Sequence, residues 1–154
     1  MRCEGKPAGY IYTEDKFTNF ELTLEWRFDA KAGAGNSGVL LRVQEPHKVW
    51  PRSIEAQLHS RNAGDIWNID AFNMVANTNR TNGRRTMKAL PTNEKSLGEW
   101  NKYRIRLHGG QLTLEVNGEV QNTASWCEEL SGPIGLQSEG AVIEFRNIRI
   151  REIF

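Results

Sequence analysis

The sequence contains little of what metal-binding, redox-active or membrane-spanning proteins require. Its 154 residues include only two cysteines and three histidines, with no C-x-x-C pair and no zinc-site spacing. No run of about 18 apolar residues occurs, so no membrane-spanning segment or membrane insertion is predicted. The formal net charge is +1, which gives no reason to expect a nucleic acid or an anionic membrane as a partner.

The length fits one domain, residues 1–154, which is large enough to bury a core without covalent cross-links. Cys3 and Cys127 allow a single pairing, and the sequence leaves open whether they form a disulfide or remain separate thiols. The opening "MRCEGKPAGYIYT" predicts a strand and not a basic stretch followed by an apolar run, so we expect no signal peptide in this chain. The oligomeric state is also left open.

Two-residue alternation of apolar and polar side chains predicts an almost entirely β structure. The clearest segment is "FELTLEWRF", and similar strands are predicted in "SGVLLRVQ", "SIEAQLHS", "DIWNIDAF", "GPIGLQ" and "AVIEFRNIRI". In "YRIRLHGGQLTLEVNGEV", the "HGGQ" and "NG" segments predict two hairpin turns. Short strands separated by glycine, proline and asparagine turns are typical of sandwiches and barrels. Residues 73–97 are polar and poorly periodic, which predicts an excursion over the surface.

One predicted strand carries a polar face with unusual chemistry. In "SIEAQLHS", Glu55, Gln57 and His59 point one way, whereas Ile54, Ala56 and Leu58 point the other way. If the sandwich is a curved jelly roll, one outer face becomes a concave trough. The polar residues of its strands are then candidate ligand contacts.

Five segments in this order resemble the 3-keto-disaccharide hydrolase family, formerly domain of unknown function 1080. They are "GYIYTEDKFTNFELTLEWRF", "GNSGVLLR", "IEAQLHS", "GEWNKYRIRLHGGQLTLEVNG" and "GPIGLQSEGAVIEFRNIRI", and the resemblance runs from about Gly5 to Ile150. It implies a concanavalin A-like jelly roll, made of two antiparallel sheets with one concave face. It also implies periplasmic or secreted bacterial enzymes that cleave glycosides oxidised at C3. Members commonly carry one further N-terminal strand, and many have histidine where this chain has Glu139.

The implied reaction needs particular groups. A ketone at C3 makes the hydrogen on C2 acidic, and its removal allows loss of the C1 glycosidic oxygen by β-elimination, after which water adds back. Such an enzyme needs a base near C2, a hydrogen-bonding or positive group at the C3 oxygen, and a proton for the leaving oxygen. The chain lacks the "E-x-D-x-x-E" signature of jelly-roll endoglucanases, because Gln57 stands where their aspartate would be. An ordinary glycosidase of that type is therefore disfavoured.

The catalytic roles are assigned to three residues. Glu55 is expected to be the base, or a metal or hydroxyl ligand, and the alternative is a solvent-exposed or arginine-paired carboxylate. His59, at the strand end, could relay a proton or be an ordinary surface histidine. Arg42, on the polar parity of its strand, could stabilise the enolate oxygen or only pair with Glu55.

Substrate contacts are assigned to a second group of residues. Gln57 suits sugar hydroxyls, and Gln137 in "GLQ" has the parity to reach the same trough. Trp67, with Asp65 nearby, could stack on a sugar face, and Trp50 could do the same. Arg146 faces away from the core, where it could contact substrate or form a cross-strand ion pair, most simply with Glu144. The basic segment "RTNGRRTMK" is expected to be a solvated loop or a lid over the site.

Metal binding is weakly indicated. Oxygen ligands for a divalent metal such as calcium could come from several carboxylates, but no D-x-D-x-D-G spacing is present. These candidates are Asp15, Glu55, Asp65 and Asp70. The sequence therefore predicts a domain whose partner is an oligosaccharide or glycoside, with no certain cofactor. It acts as a hydrolase or lyase or, alternatively, as a non-catalytic carbohydrate-binding module that uses the same concave face.

Overall fold

In the computed structural model, which describes residues 1–154, two antiparallel sheets of seven strands each pack face to face. The back sheet has, in spatial order, β1 (Arg2–Cys3), β14 (Ile143–Glu152), β3 (Phe20–Phe28), β10 (Asn101–His108), β11 (Gln111–Val116), β12 (Glu119–Ser125) and β7 (Val75–Ala76). The front sheet has β2 (Gly9–Tyr12), β13 (Gly135–Ser138), β4 (Gly38–Leu41), β5 (Ser53–Gln57), β6 (Ile66–Ile69), β9 (Arg85–Thr86) and β8 (Thr81–Asn82). The predicted all-β jelly roll is confirmed.

The only helical element is a 3-10 turn at Thr78–Arg80. No helix has the length and the apolar character that crossing a bilayer requires. The predicted excursion at residues 73–97 contains this turn and the short strands β7, β8 and β9. Strands β8 and β9 form a hairpin that extends the front sheet beyond β6, and this hairpin borders the site described below.

Alternating apolar side chains build the core between the sheets. Strand β3 is buried at every second position, and the strictly alternating part of β10 shows the same pattern. Because alternate residues of a strand point to opposite faces, each strand gives one row of side chains to the core. The front sheet contributes Val39, Leu41, Ile54, Ala56, Leu58 and Ile66.

Both predicted hairpin turns are present. Strands β10 and β11 pair from His108↔Gln111, so the two glycines of "HGGQ" form the turn. Strands β11 and β12 are joined through Asn117 and Gly118, whose φ angles are 48° and 86°. Positive φ at both central residues is the type I′ geometry that matches strand twist. Cys3 and Cys127 are not bridged, and the Cys127 thiol is buried in the core.

Arg42 does not lie in the trough as predicted. Strand β4 ends at Leu41, and Arg42 has a φ of 49°, so the side chain does not continue the alternation of the strand. The residue is fully buried, and its guanidinium donates to the carbonyl oxygens of Thr18, Gly109, Cys127 and Glu128 at 2.6–3.3 Å. Its donors are used to hold loops at one end of the sandwich. A role at an enolate oxygen or beside Glu55 is therefore wrong.

We predict that Arg42→Lys lowers the free energy of unfolding by about 2–4 kcal/mol, because an ammonium group cannot replace the planar fork and leaves buried carbonyl groups unpaired. Urea unfolding followed by tryptophan fluorescence measures this change. The matched control is Arg104→Lys, since Arg104 is about half exposed and forms surface ion pairs that are worth less than about 1 kcal/mol. Equal effects of the two substitutions would contradict the anchoring role.

Candidate functional site

The outer face of the front sheet holds a cavity of about 310 Å³. Leu40, Glu55 and Trp67 are paired across β4, β5 and β6, so they form one row on this face. All five residues of β5 are buried, because the core covers one side of the strand and other side chains and loops crowd the other. The residues that line the cavity are Asn36, Trp50, Glu55, Gln57, Trp67, Ile69, Arg84 and Glu139.

The carboxyl group of Glu55 has a strongly raised pKa. It is only 6% exposed, and burial raises its pKa to about 8, with a further contribution from the negative charge of Glu139. A hydrogen bond from the Gln137 side chain and the positive charge of Arg84 act in the opposite direction but do not cancel the burial. At neutral pH, Glu55 therefore holds a proton.

Gly38 makes room for this arrangement. It lies on β4, and a Cβ atom at this position would overlap Oε1 of both Glu55 and Gln137. The absence of a side chain in "GNSG" thus lets the two polar groups approach each other across the strand between them. Gln137 is buried beside Glu55 but does not line the cavity, so its predicted contact with substrate stays a prediction.

The cavity wall presents polar atoms that the protein does not satisfy. Gln57 Oε1 accepts hydrogen bonds from the backbone N–H groups of Leu58 and His59, both at 3.0 Å, which leaves its Nε2 group free as a donor. Asn36 Oδ1 and Trp67 Nε1 are buried without a partner. Buried polar atoms are nearly always hydrogen-bonded, so this combination of donors and acceptor suits a hydroxylated ligand.

Two tryptophans give the cavity aromatic walls. Trp67 and Trp50 both line it, and the Arg84 guanidinium carbon lies 5.7 Å from the centroid of the Trp67 ring. Flat apolar faces beside polar groups suit a sugar ring, which has C–H faces and hydroxyl edges. Trp67 and Trp50 therefore both lie on the cavity wall, and their stacking on a sugar ring stays a prediction.

Asp65 was predicted to contact substrate but does not line the cavity. It is fully buried, and its two oxygens accept hydrogen bonds from Arg85 Nε at 2.7 Å and Lys88 N at 2.8 Å. These bonds fix the β8–β9 hairpin, whose tip carries Arg84. In addition, Arg84 O accepts a hydrogen bond from Asn68 N at 2.8 Å. Asp65 therefore positions the hairpin that brings Arg84 to the cavity.

Two other predicted site residues lie outside the cavity. His59 follows the end of β5 and is exposed, with Nδ1 3.0 Å from Ser60 O, although its charge is felt by Glu139. Arg146 lies on the back sheet, where it pairs with Glu25 at 2.5 Å and stacks on Trp100 at 4.1 Å. A substrate contact by Arg146 is wrong because the whole sandwich separates it from the trough; the predicted ion pair exists, but with Glu25.

The carboxylates considered as calcium ligands do not converge. Asp65 is paired with Arg85, and Asp70 is paired with Lys48 at 2.9 Å. No group of three or more histidine, cysteine, aspartate or glutamate side chains is placed to hold a metal ion. The residues present thus do not fit the suggested calcium site.

Sequence reasoning assigned no cavity role to Asn36 or Glu139 and placed Arg84 only in a possible lid. All three lie outside the regular strands, where alternation does not predict side-chain direction. The sequence indicated two of these residues only by their place in or beside the segments that resemble the family: Asn36 lies in "GNSG", and Glu139 follows "GLQS".

Comparisons with known proteins point to carbohydrate chemistry. The model of the family described as the 3-keto-alpha-glucoside-1,2-lyase-like domain matches residues 1–151. A 3-keto-disaccharide hydrolase from Bacteroides thetaiotaomicron is 27% identical over an alignment of 192 positions, which covers 94% of this chain and 62% of that protein. The chain thus spans less than two thirds of the length of this relative.

Solved structures share the fold. A candidate glycosyl hydrolase from Parabacteroides distasonis superposes with a TM-score of 0.70 at 23% identity, covering 96% of this chain and 85% of the other. A carbohydrate binding module from Bacillus subtilis gives a TM-score of 0.67 at 12% identity, covering 93% and 81%. At these identities the likeness shows the jelly-roll fold alone.

We predict that Glu55→Gln stabilises the protein progressively as the pH rises. Because the folded-state pKa of Glu55 is about 8 and its ordinary value is 4.5, the folded state binds the extra proton, and wild-type stability falls as the pH rises from about 4.5 to 8. The substitution removes this loss. Relative to wild type, the variant should gain on the order of 2–4 kcal/mol between pH 5 and pH 8.5, since each pKa unit is worth about 1.4 kcal/mol.

Urea unfolding at a series of pH values measures this difference. The exposed Glu119→Gln, on β12 of the back sheet, is the matched control and should parallel wild type at every pH. A Glu55→Gln curve parallel to that of wild type would mean that Glu55 ionises normally.

Proposed function

The chain belongs to the family described as the 3-keto-alpha-glucoside-1,2-lyase-like domain, and from that premise we propose that it cleaves the glycosidic bond of 3-keto-glycosides in the front-sheet cavity. The observation that supports this proposal is the buried carboxyl group of Glu55, which faces the cavity beside the cationic Arg84. A group that gains and loses a proton near neutral pH is suited to proton transfer during bond cleavage.

Glu55 is proposed as the donor of a proton to the leaving glycosidic oxygen. The sequence favoured it as the base, but a carboxyl group with a pKa of about 8 is protonated at neutral pH, and a protonated group donates. A sugar alkoxide is a poor leaving group, so cleavage of its bond to C1 benefits from protonation. This assignment keeps Glu55 as the central catalytic residue and changes its role.

Arg84 is proposed to act at the C3 ketone oxygen. Removal of the hydrogen on C2 sends an electron pair towards that oxygen, and a guanidinium group held at the cavity wall stabilises the resulting enolate. Arg84 thus takes the place that the sequence assigned to Arg42. The backbone bond from Asn68 N and the Asp65 contacts with the same hairpin hold it in position before substrate binds.

Binding of the sugar is assigned to the remaining wall. Trp50 and Trp67 offer stacking faces, while Gln57 Nε2 and Asn36 Oδ1 offer a donor and an acceptor to hydroxyl groups. A cavity of about 310 Å³ is at the small end of ordinary ligand pockets, which suits one sugar ring with the scissile oxygen at the opening.

A non-catalytic carbohydrate-binding module is the second candidate. The fold shared with a Bacillus subtilis module and the two tryptophans of the cavity favour it. Sugar binding alone, however, does not require a carboxyl group that gains and loses its proton near pH 8. The carboxyl group therefore favours catalysis over binding.

We predict that Glu55→Gln slows release of 3-keto-glucose from a 3-keto-disaccharide by about 100- to 10,000-fold, because the leaving oxygen loses its proton donor. A 4-nitrophenyl 3-keto-glucoside should be slowed less than about tenfold, since nitrophenolate leaves without protonation. Glu119→Gln is the control for both substrates. Loss below about threefold on the disaccharide would contradict the donor role, and binding of unoxidised glycans without any turnover by wild type would favour the module.

The pH dependence gives a separate prediction. Because Glu55 must be protonated to donate, kcat/KM on the disaccharide should fall above about pH 8, by about tenfold for each further pH unit. Initial rates at subsaturating substrate measure this profile. A rate that instead rises through pH 8 would assign Glu55 to the base role, and in Glu55→Gln the decline near pH 8 should be absent.

A further inference from the structure

A second carboxyl group shares the cavity with Glu55. Glu139 lies just after β13, ahead of Gly140, whose φ of 81° turns the chain back towards β14. It is half-buried at the cavity wall, whereas Glu55 is almost completely enclosed. The two carboxyl groups thus differ in solvent access although they face the same space.

Two neighbouring side chains influence the protonation of Glu139. The Trp50 side chain hydrogen-bonds to it, and the charge of His59 favours its ionised form. Partial burial nevertheless outweighs these two influences and raises the pKa of Glu139 above its ordinary value. Between two neighbouring carboxyl groups, the less buried one gives up its proton first. The titratable and charged groups around Glu139 are His59, Glu55 and Arg84.

We propose that Glu139 is the catalytic base that removes the hydrogen from C2 of the 3-keto-sugar, opposite the proton donor Glu55. This inference rests on the proposed function. It also rests on the polar lining of the cavity that the two carboxyl groups share, where Asn36 Oδ1 and Trp67 Nε1 are buried without a hydrogen-bond partner.

Glu139 and Glu55 together account for both proton transfers that bond cleavage requires. The Glu139 carboxylate takes the proton from C2, and the electron pair of the C2–H bond forms the C2=C3 bond of an enolate whose oxygen faces Arg84. Collapse of the enolate restores the C3=O bond, forms C1=C2 and breaks the bond between C1 and the glycosidic oxygen, which receives the proton of Glu55.

Addition of water closes the cycle. The Glu55 carboxylate accepts one proton from water as the water oxygen bonds to C1, and Glu139 returns its proton to C2. The sum is one glycosidic bond cleaved and one water consumed, with both carboxyl groups restored to their starting protonation. No oxidant, reductant or metal is needed for these steps.

Hydrogen exchange at C2 tests the role of Glu139 separately from bond cleavage. In D₂O, Glu55→Gln should still exchange the C2 hydrogen of a 3-keto-disaccharide, because the enolate forms while the leaving group departs slowly. Adding Glu139→Gln to this variant should lower the exchange rate by about 100-fold or more. Proton NMR of the substrate measures the exchange.

Glu139→Gln alone should lose activity on both the 3-keto-disaccharide and the 4-nitrophenyl 3-keto-glucoside, by similar factors of about 100 or more. The reason is that enolate formation precedes departure of either leaving group. Because Glu139 is at the accessible side of the cavity, formate should restore part of the activity of Glu139→Ala in a concentration-dependent way. The same treatment of Glu55→Ala should restore little, because that position is enclosed. Rescue by a small carboxylate is not expected of a residue whose role is only structural.

The outcomes are distinguishable. Exchange that persists unchanged in the double variant, or loss of Glu139→Gln activity only with the sugar leaving group, would overturn the assignment of Glu139 as the base. Exchange lost in Glu55→Gln and retained in Glu139→Gln would reverse the two roles. Absence of any turnover of 3-keto-glycosides by wild type would overturn the proposed function, and with it this inference.

Discussion

Burial of one carboxyl group on a central strand is the constraint on which the site depends. Strand β5 is buried along its whole length, so Glu55 has far less contact with water than the polar residues of an ordinary sandwich strand. Its desolvation raises the pKa to about 8 and makes the charged form costly unless a positive group is near. Arg84 supplies that charge and Gly38 supplies the space. The site of Glu55 therefore depends both on a loop residue and on a residue of the neighbouring strand.

Two residues first considered for chemistry instead hold the loops that build the site. Arg42 ties backbone carbonyl groups together at one end of the sandwich, and Asp65 ties the β8–β9 hairpin to the front sheet. Both are fully buried charges with several hydrogen bonds, which is the condition under which buried charge is tolerated. Alternation along a strand therefore identifies polar side chains that need hydrogen-bonding partners. Those partners can be a ligand or the backbone of the protein itself.

The sequence predicted the parts of this structure that follow from a two-residue period. The alternation of β3, the two hairpin turns and the shared face of Glu55 and Gln57 all agree with the structure because regular backbone fixes side-chain direction. The prediction failed at Arg42, where a positive φ ends the regularity. The sequence pattern did not identify Glu139 as a cavity residue, because only the three-dimensional course of the loop after β13 brings that residue to the cavity.

The shared jelly roll does not distinguish a sugar-binding surface from a catalytic one, since both use aromatic faces and amide groups to hold a sugar. Under the proposed function, the protonation of the side chains makes the distinction. A binding site is best served by groups that keep one state across the working pH range, whereas cleavage requires a group that holds a proton and another that accepts one. Unequal burial of Glu55 and Glu139 in one cavity produces that difference from two identical carboxyl groups. The depth at which each residue sits, rather than its type, is thus what sets its chemistry.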